Sequence, residues 1–303
     1  MTYTNIKYLA YTLTLGLFIS CSSDDANENP ANSIYIDIPD ANFESKLISL
    51  GIDSDQEINR KMLRTDAEKV TSLDISSQHA GDEIEDLTGI EGFINLTKLE
   101  AVMNSLSQID LSANKALDSI YLAGNRIENI DISNNTKLKM LNVDANILTS
   151  ITGIADAKQL KTLSASFNFL ETIDLDSESL ETLYIETNDL KSLNTEKAVN
   201  LKTLFARNNQ ITSSIDLTNN KQLEVVTLTN NRLAELNLGQ HANLKSLYIS
   251  ENSLSQLDVS GLSALIDLRI RDNSDLLCVQ INDGQDIPTV HKSDYQNLNT
   301  DCN

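Results

Sequence analysis

One residue type at a fixed step constrains this chain more than anything else in it. Asparagine recurs at Asn104, Asn125, Asn146, Asn168, Asn188, Asn209, Asn231, Asn252 and Asn273, about every 21 residues. Ahead of each lies one apolar phrase, as in Leu117-Asp-Ser-Ile120-Tyr-Leu122, Leu138-Lys-Met-Leu141-Asn-Val143 and Leu244-Lys-Ser-Leu247-Tyr-Ile249. Its last two apolar residues are two apart, so an extended chain turns both to one face. The chain then turns at the Asn, and a second apolar set such as Ile127, Ile130 and Ile132 closes the coil from the opposite side. One such coil is too thin to bury its own leucines, so neighbours must stack. Stacking pairs their strands in parallel, about 4.8 Å apart. The Asn amides then fall into register and satisfy turn backbone groups of their own and adjacent coils.

An L-x-x-L-x-L-x-x-N phrase with a period of roughly 20–29 is the leucine-rich-repeat signature. The expected fold is therefore an α/β leucine-rich-repeat solenoid. A curved parallel sheet lines its concave face, short turns or 3-10 segments line its convex face, and a cap closes each end. The array is expected over 70–273, with an N-terminal helical cap at 34–69 and a C-terminal cap at 274–303. The length of 303 residues would otherwise imply two domains. Aromatics are only 5% with no Trp, as a thin core of Leu and Ile requires. A net charge of −21 argues against a nucleic-acid backbone as partner, since that needs a Lys/Arg surface.

The first 20 residues read as a signal peptide outside the fold. Lys7 is a positive flank, and the apolar run from Tyr8 to Ser20 is too short to span a bilayer. Phe18-Ile19-Ser20-Cys21 resembles a bacterial lipoprotein signal, which makes Cys21 the lipidated first residue of the mature chain. Phe18 departs from the commoner Leu, and an ordinary secretory signal is the alternative. Residues 21–33 hold no large apolar side chain and carry Asp24, Asp25 and Glu28, the composition of a flexible acidic tether. Cys-Ser-Ser-Asp-Asp resembles the acidic export signal of Bacteroidetes surface lipoproteins. That implies a lipid-anchored protein of the outer membrane, facing the exterior; a periplasmic orientation is the alternative.

In the N-terminal cap, Asp40 is a good N-cap for a helix from Ala41 to Leu50, stopped by Gly51. Thr65-Asp-Ala-Glu68 reads as a capping box. Val70 to Ile75 opens a longer first coil, with Gln78 in the Asn place. Asp53-Ser-Asp55-Gln-Glu57 invites a calcium loop, but Ile58 and Arg64 stand where Gly and Glu are needed, so a polar turn is read instead. Asp110, Asp131, Asp174, Asp216 and Asp258 recur on the return side, where Asp before Ser or Thr opens turns.

The stretches IPDANFESKLISLGID (38–53) and DAEKVTSLDIS (66–76), with the repeated L-x-x-L…N-x-L-x-x-IDLS, are similar to the secreted leucine-rich-repeat proteins of flavobacteria and, more distantly, to the internalins. The resemblance implies a binding or adhesion scaffold and names no ligand. It also bears on the tail, where LxCVQ…DC matches without the Trp expected between. In an exported chain Cys278 and Cys302 are a disulfide candidate closing about 24 residues, worth roughly 3–4 kcal/mol; free thiols are the alternative. Leu276 to Ile281 reads as a last strand covering the end coil.

The strand residues that do not face the core should line the concave face. The column between the two core residues reads Asp74, Glu100, Tyr121, Asn142, Ser164, Tyr184, Phe205, Thr227, Tyr248, Arg269. Four of the fourteen Tyr and Phe residues fall in it, and Phe167 and Met103 lie at its edge. Such aromatics suit recognition, although they also suit exposed strands generally. Arg207, Arg269 and Arg271 add positive charge, either for an anionic ligand group or for internal pairing with Glu251, Asp267 and Asp272. The candidate ligand-binding residues are thus Tyr121, Phe167, Tyr184, Phe205, Arg207, Tyr248, Arg269 and Arg271.

His79, His241 and His291 share no metal-ligand spacing, and no nucleophile elbow, phosphate loop or zinc-protease motif occurs. The reading is a monomeric non-enzyme without metal or cofactor. Its ligand would be a protein, or alternatively a glycan delivered to an uptake system; a structural envelope protein without a specific ligand is the third possibility.

Overall fold

The computed structural model describes residues 33–302; the signal peptide, Cys21 and almost all of the tether lie outside them. The core phrase sets the architecture. In each coil three residues form a strand with its middle side chain buried, as in Ser119–Tyr121 and Met140–Asn142. Eleven strands of this kind, from Ser72–Asp74 to Thr289–His291, whose middle Val290 is only partly buried, form one sheet in sequence order. Every pairing is parallel and in strict register, for example Leu183 with Leu204 and Tyr184 with Phe205. This is a leucine-rich-repeat solenoid. Among the described residues, α-helix is confined to the cap, at α1 (Ala41–Ser49) and α2 (Arg64–Ala67).

The recurrent asparagines form the ladder. Asn125 Nδ2 donates to Leu122 O in its own coil at 2.9 Å and to Ala101 O in the preceding one at 2.8 Å. Its Oδ1 accepts from Leu106 N at 3.1 Å. The same three bonds recur at Asn146, Asn209 and Asn252. Gln78 is exposed and outside the ladder, because the first coil has no coil before it to bridge. The ladder continues instead at the other end, past Asn273. Gln296 is fully buried and donates to Ile270 O at 3.0 Å beneath the eleventh strand.

The return side carries short parallel strands of its own, such as Asn129–Asp131 with Ser150–Thr152 and Ile215–Asp216 with Leu236–Asn237. The alternating Ile-Asp-Leu/Ile phrase is itself a strand pattern. The one 3-10 turn among the described residues is Ile90–Gly92, in the long first coil. Cys278–Gln280 belongs to this side: it pairs with Leu257–Asp258 and Asn297–Asn299, so it continues the return sheet rather than covering the end coil. A disulfide joins Cys278 to Cys302 across it.

In the cap, Tyr35–Asp37 pairs antiparallel with Lys61–Leu63 beneath α1. Asp40 caps α1 through Asn42 N and Phe43 N, and its other oxygen accepts from Glu85 N and Asp86 N, which ties the cap to the first coil. Gly89 (φ +103°) lies under Ile38, where a Cβ would sit 2.3 Å from the Ile38 side chain. Thr65-Asp-Ala-Glu68 is not a capping box: α2 starts at Arg64, which places Thr65 inside it, and no side chain caps Leu63. Asp66 instead accepts from Ser54 N and pairs with Lys69.

Candidate functional site

The strict parallel register turns the variable strand positions into columns about 4.8 Å apart on the concave sheet. Tyr184 and Phe205 meet edge to face at its middle, with ring centroids 5.2 Å apart. Both are half-buried. An edge-to-face pair at this distance is the geometry the ring quadrupoles favour.

The other candidates have different surroundings. Tyr248 donates its hydroxyl to Asp267 at 2.7 Å, and the Arg269 guanidinium lies 4.3 Å over its ring. Arg269 also pairs with Asp267 at 2.9 Å, and the bond from Arg269 holds that carboxyl below its ordinary range. Arg207 pairs with Glu186 at 2.6 Å, a partner one coil away in its own column. Of the internal partners expected from the sequence, Asp267 alone is engaged in this way. Arg271 is exposed and enters no ion pair among the described residues. Tyr121 lies under Lys98, 5.5 Å from its ring, and Lys98 pairs with Glu100. Phe167 is 54% exposed at the edge of the face, in the left-handed region at φ 58°. Tyr184 and Phe205 therefore stand together, Tyr121 and Tyr248 stand apart beside ion-paired cations, and Phe167 belongs to the rim.

One flank of this face is electrostatically self-contained. Lys139 pairs with Asp118, Lys161 and Lys202 both with Glu181, and Lys245 with Glu224, at 2.7–3.5 Å. Hydrogen bonds from Lys161 and Lys202 hold Glu181 down to about 2. This ladder escaped the sequence reading, although alternating Lys and Glu just ahead of the strands was its visible sign.

A second polar column on the return side also escaped it. Asn114, Asn135 and Asn220 are fully buried, each three residues before a core Leu, and each donates to carbonyls of the preceding coil. His241 takes the same place. It is fully buried, and burial depresses its basicity. The return-side carboxylates behave as turn formers: Asp110, Asp131, Asp174, Asp216 and Asp258 each accept from the backbone N–H two residues on. Among the described residues no group of three or more His, Cys, Asp or Glu is arranged to hold a metal ion. No described helix is long and apolar enough to cross a membrane. A return-side groove of about 970 Å³ is lined by Asp216, Glu235, Asp258 and Asp275, without an aromatic.

The fold and its columns place the chain structurally. No family model and no curated protein matches the sequence. Solved structures do. A Listeria monocytogenes internalin (inlF) is 19% identical with a TM-score of 0.51, over 90% of this chain and 98% of that one. A TDR receptor is 18% identical with a TM-score of 0.55, over 75% of this chain and 44% of that one. The LRIM1/APL1C complex gives 18% and 0.52, over 68% and 45%. At these identities the likeness shows the fold alone: a leucine-rich-repeat solenoid, distantly similar to the internalins.

Proposed function

We propose that this protein is a non-enzymatic binding scaffold that recognises a protein ligand on its concave face. The observation that carries the reading is the Tyr184–Phe205 pair, two aromatic rings set edge to face in the middle of an open sheet. Central aromatics with large contact area and few rotatable bonds are the usual energetic centres of interfaces. Arg207, Tyr121, Tyr248, Arg269 and Arg271 serve as the surrounding contacts, and Phe167 as the edge. Receptors and internalins among the structural neighbours are consistent with a scaffold role. The shallow face, without a nucleophile or metal constellation among the described residues, supports binding rather than catalysis.

The lipoprotein-like leader supports a place outside the cytoplasm, anchored through a lipid on Cys21 in the outer membrane and facing the exterior. Cys21→Ala should abolish palmitate labelling and release the chain. Changing Asp24 and Asp25 to Ala should keep the lipid and lower protease accessibility on intact cells; unchanged accessibility would remove the surface orientation. For the ligand, cross-linking capture and a glycan array are run in parallel with wild type and Tyr184→Ala. A captured protein lost in the variant supports the reading. Glycan signals lost in the variant would transfer it to a saccharide-binding lipoprotein.

A further inference from the structure

Just outside the concave face runs a column formed by the residue after each ladder Asn. It reads Arg126, Ile147, Phe169, Asp189 over four consecutive coils. Each of the four bonds through its N–H to the coil before it, to Leu106, Ile127, Leu148 and Leu170, so the side chains stack in register. Ile147 and Phe169 are 43% and 55% exposed, and Phe167 on the other side of Asn168 is 54% exposed. Asn168 is buried and bonded to three carbonyls, which fixes both phenylalanines where they stand. Arg126 and Asp189 enter no ion pair among the described residues. Asp189 accepts one hydrogen bond, from Gln210. The column is thus a strip with a cationic end, an apolar middle and an anionic end.

Phe167 adds an independent observation. The residue before the ladder Asn is left-handed in coil after coil, whether it is Gly124, Ala145, Thr187, Asn208, Asn230, Glu251 or Asp272. At Phe167 that position carries a large apolar side chain that is 54% exposed. Exposed apolar side chains gathered at one place mark a surface in use.

We propose that this rim is a second contact site, and that its occupant is a helical polypeptide segment of matched charge. Such a segment lays an acidic side chain on Arg126, two apolar ones on Ile147 and Phe169, and a basic one on Asp189. The coil step of about 4.8 Å suits helix neighbours at i, i+3 and i+4, about 5–6 Å apart, better than strand neighbours at i, i+2, roughly 6.6 Å apart. The inference shares with the concave-face reading only the premise that the chain is a binding scaffold, and it adds the chemistry of the partner.

The test uses the intact protein and three labelled helical peptides with Leu-Leu in the middle of one face. One is flanked by Glu and Lys, one by Lys at both ends, one by Glu at both ends, and binding is read by fluorescence anisotropy. The Glu/Lys peptide should bind tightest, and Phe169→Ser should weaken it roughly tenfold. Arg126→Glu should move the preference to the Lys/Lys peptide, and Asp189→Lys to the Glu/Glu peptide. Phe167→Asn should weaken binding while raising Tm by about 2 °C, because Asn tolerates the left-handed conformation. Peptide affinities indifferent to Phe169→Ser and to both charge variants would overturn the proposal; a Tm lowered by Phe167→Asn would show that Phe167 is kept for packing. Loss on Tyr184→Ala without loss on Phe169→Ser would leave the concave site standing and remove this one. Loss on Phe169→Ser without loss on Tyr184→Ala would place the peptide on the rim alone and support this proposal, while the concave-face reading stands or falls on its own captured ligand.

Discussion

Tyr184 and Tyr248 occupy the same column of the same sheet, three coils apart, yet their surroundings differ. Tyr248 is committed at both ends: its hydroxyl to Asp267, its ring to Arg269. Tyr184 touches Phe205 edge-on. An aromatic whose polar tip and π-face are already engaged offers a partner less new interaction than one that is not, because binding must first replace what is there. One residue type in one column therefore has two kinds of surroundings. Tyr184 and Phe205 meet each other in the middle of the array, whereas Tyr248 is tied to Asp267 and Arg269 farther along the sheet.

The sharpest way to break this contrast is truncation. Tyr184→Ala or Phe205→Ala should cost about 2 kcal/mol or more of binding, roughly 30-fold in Kd, measured by titration calorimetry against the captured ligand. Tm should change little, since neither ring belongs to the leucine core. Equal losses from Tyr248→Ala would show that its internal partners do not matter. A smaller effect sharpens the other half. Tyr248→Phe removes only the hydroxyl, so it should lower stability by about 1 kcal/mol in urea unfolding and leave affinity unchanged. A loss of affinity from that single oxygen would make Tyr248 a central ligand contact rather than a surrounding one. Asp131→Ala, a turn former on the return side, is the control for both and should leave affinity untouched.

Much of this was legible from the residues. The Asn step and the Leu spacing dictate the solenoid, its core and its parallel register, since each follows from local periodicity that every coil repeats. Asp40 was readable as a cap because its chemistry is local, and Asp110 to Asp258 as turn formers for the same reason. What stayed hidden depends on relations across coils. Glu186 as the partner of Arg207 lies 21 positions away and one coil over, so no spacing rule within a coil reveals it. The cap boundary misled because Thr65-x-x-Glu68 has the capping pattern, but α2 follows the strand Lys61–Leu63 directly and begins two residues earlier. Gln296 extends the ladder with a different amide, invisible to a search for Asn. Ile147 and Phe169 stand 22 positions apart, and only the stacking of coils puts them side by side.

The smallest expected effect tests whether the Tyr248 cluster is electrostatic. Arg269 holds the Asp267 carboxyl below its ordinary value, with the Tyr248 hydroxyl assisting, against an opposing effect of burial. A carboxyl whose folded value is depressed contributes stability above its unfolded value of about 3.9, and that contribution is lost as pH falls through the folded value. Arg269→Ala should therefore destabilise the protein near neutral pH and progressively less in acid. The side chains are 47% and 18% exposed, so solvent screening limits the difference to about 1 kcal/mol or less. Urea unfolding of wild type and variant across that pH range reads it directly. A deficit that stays constant into acid would mean that Arg269 acts by covering the Tyr248 ring, through dispersion and ring stacking that protonation of Asp267 does not alter. The cluster would then be held by packing, and the contrast with the bare pair at Tyr184 would rest on contact area rather than on charge.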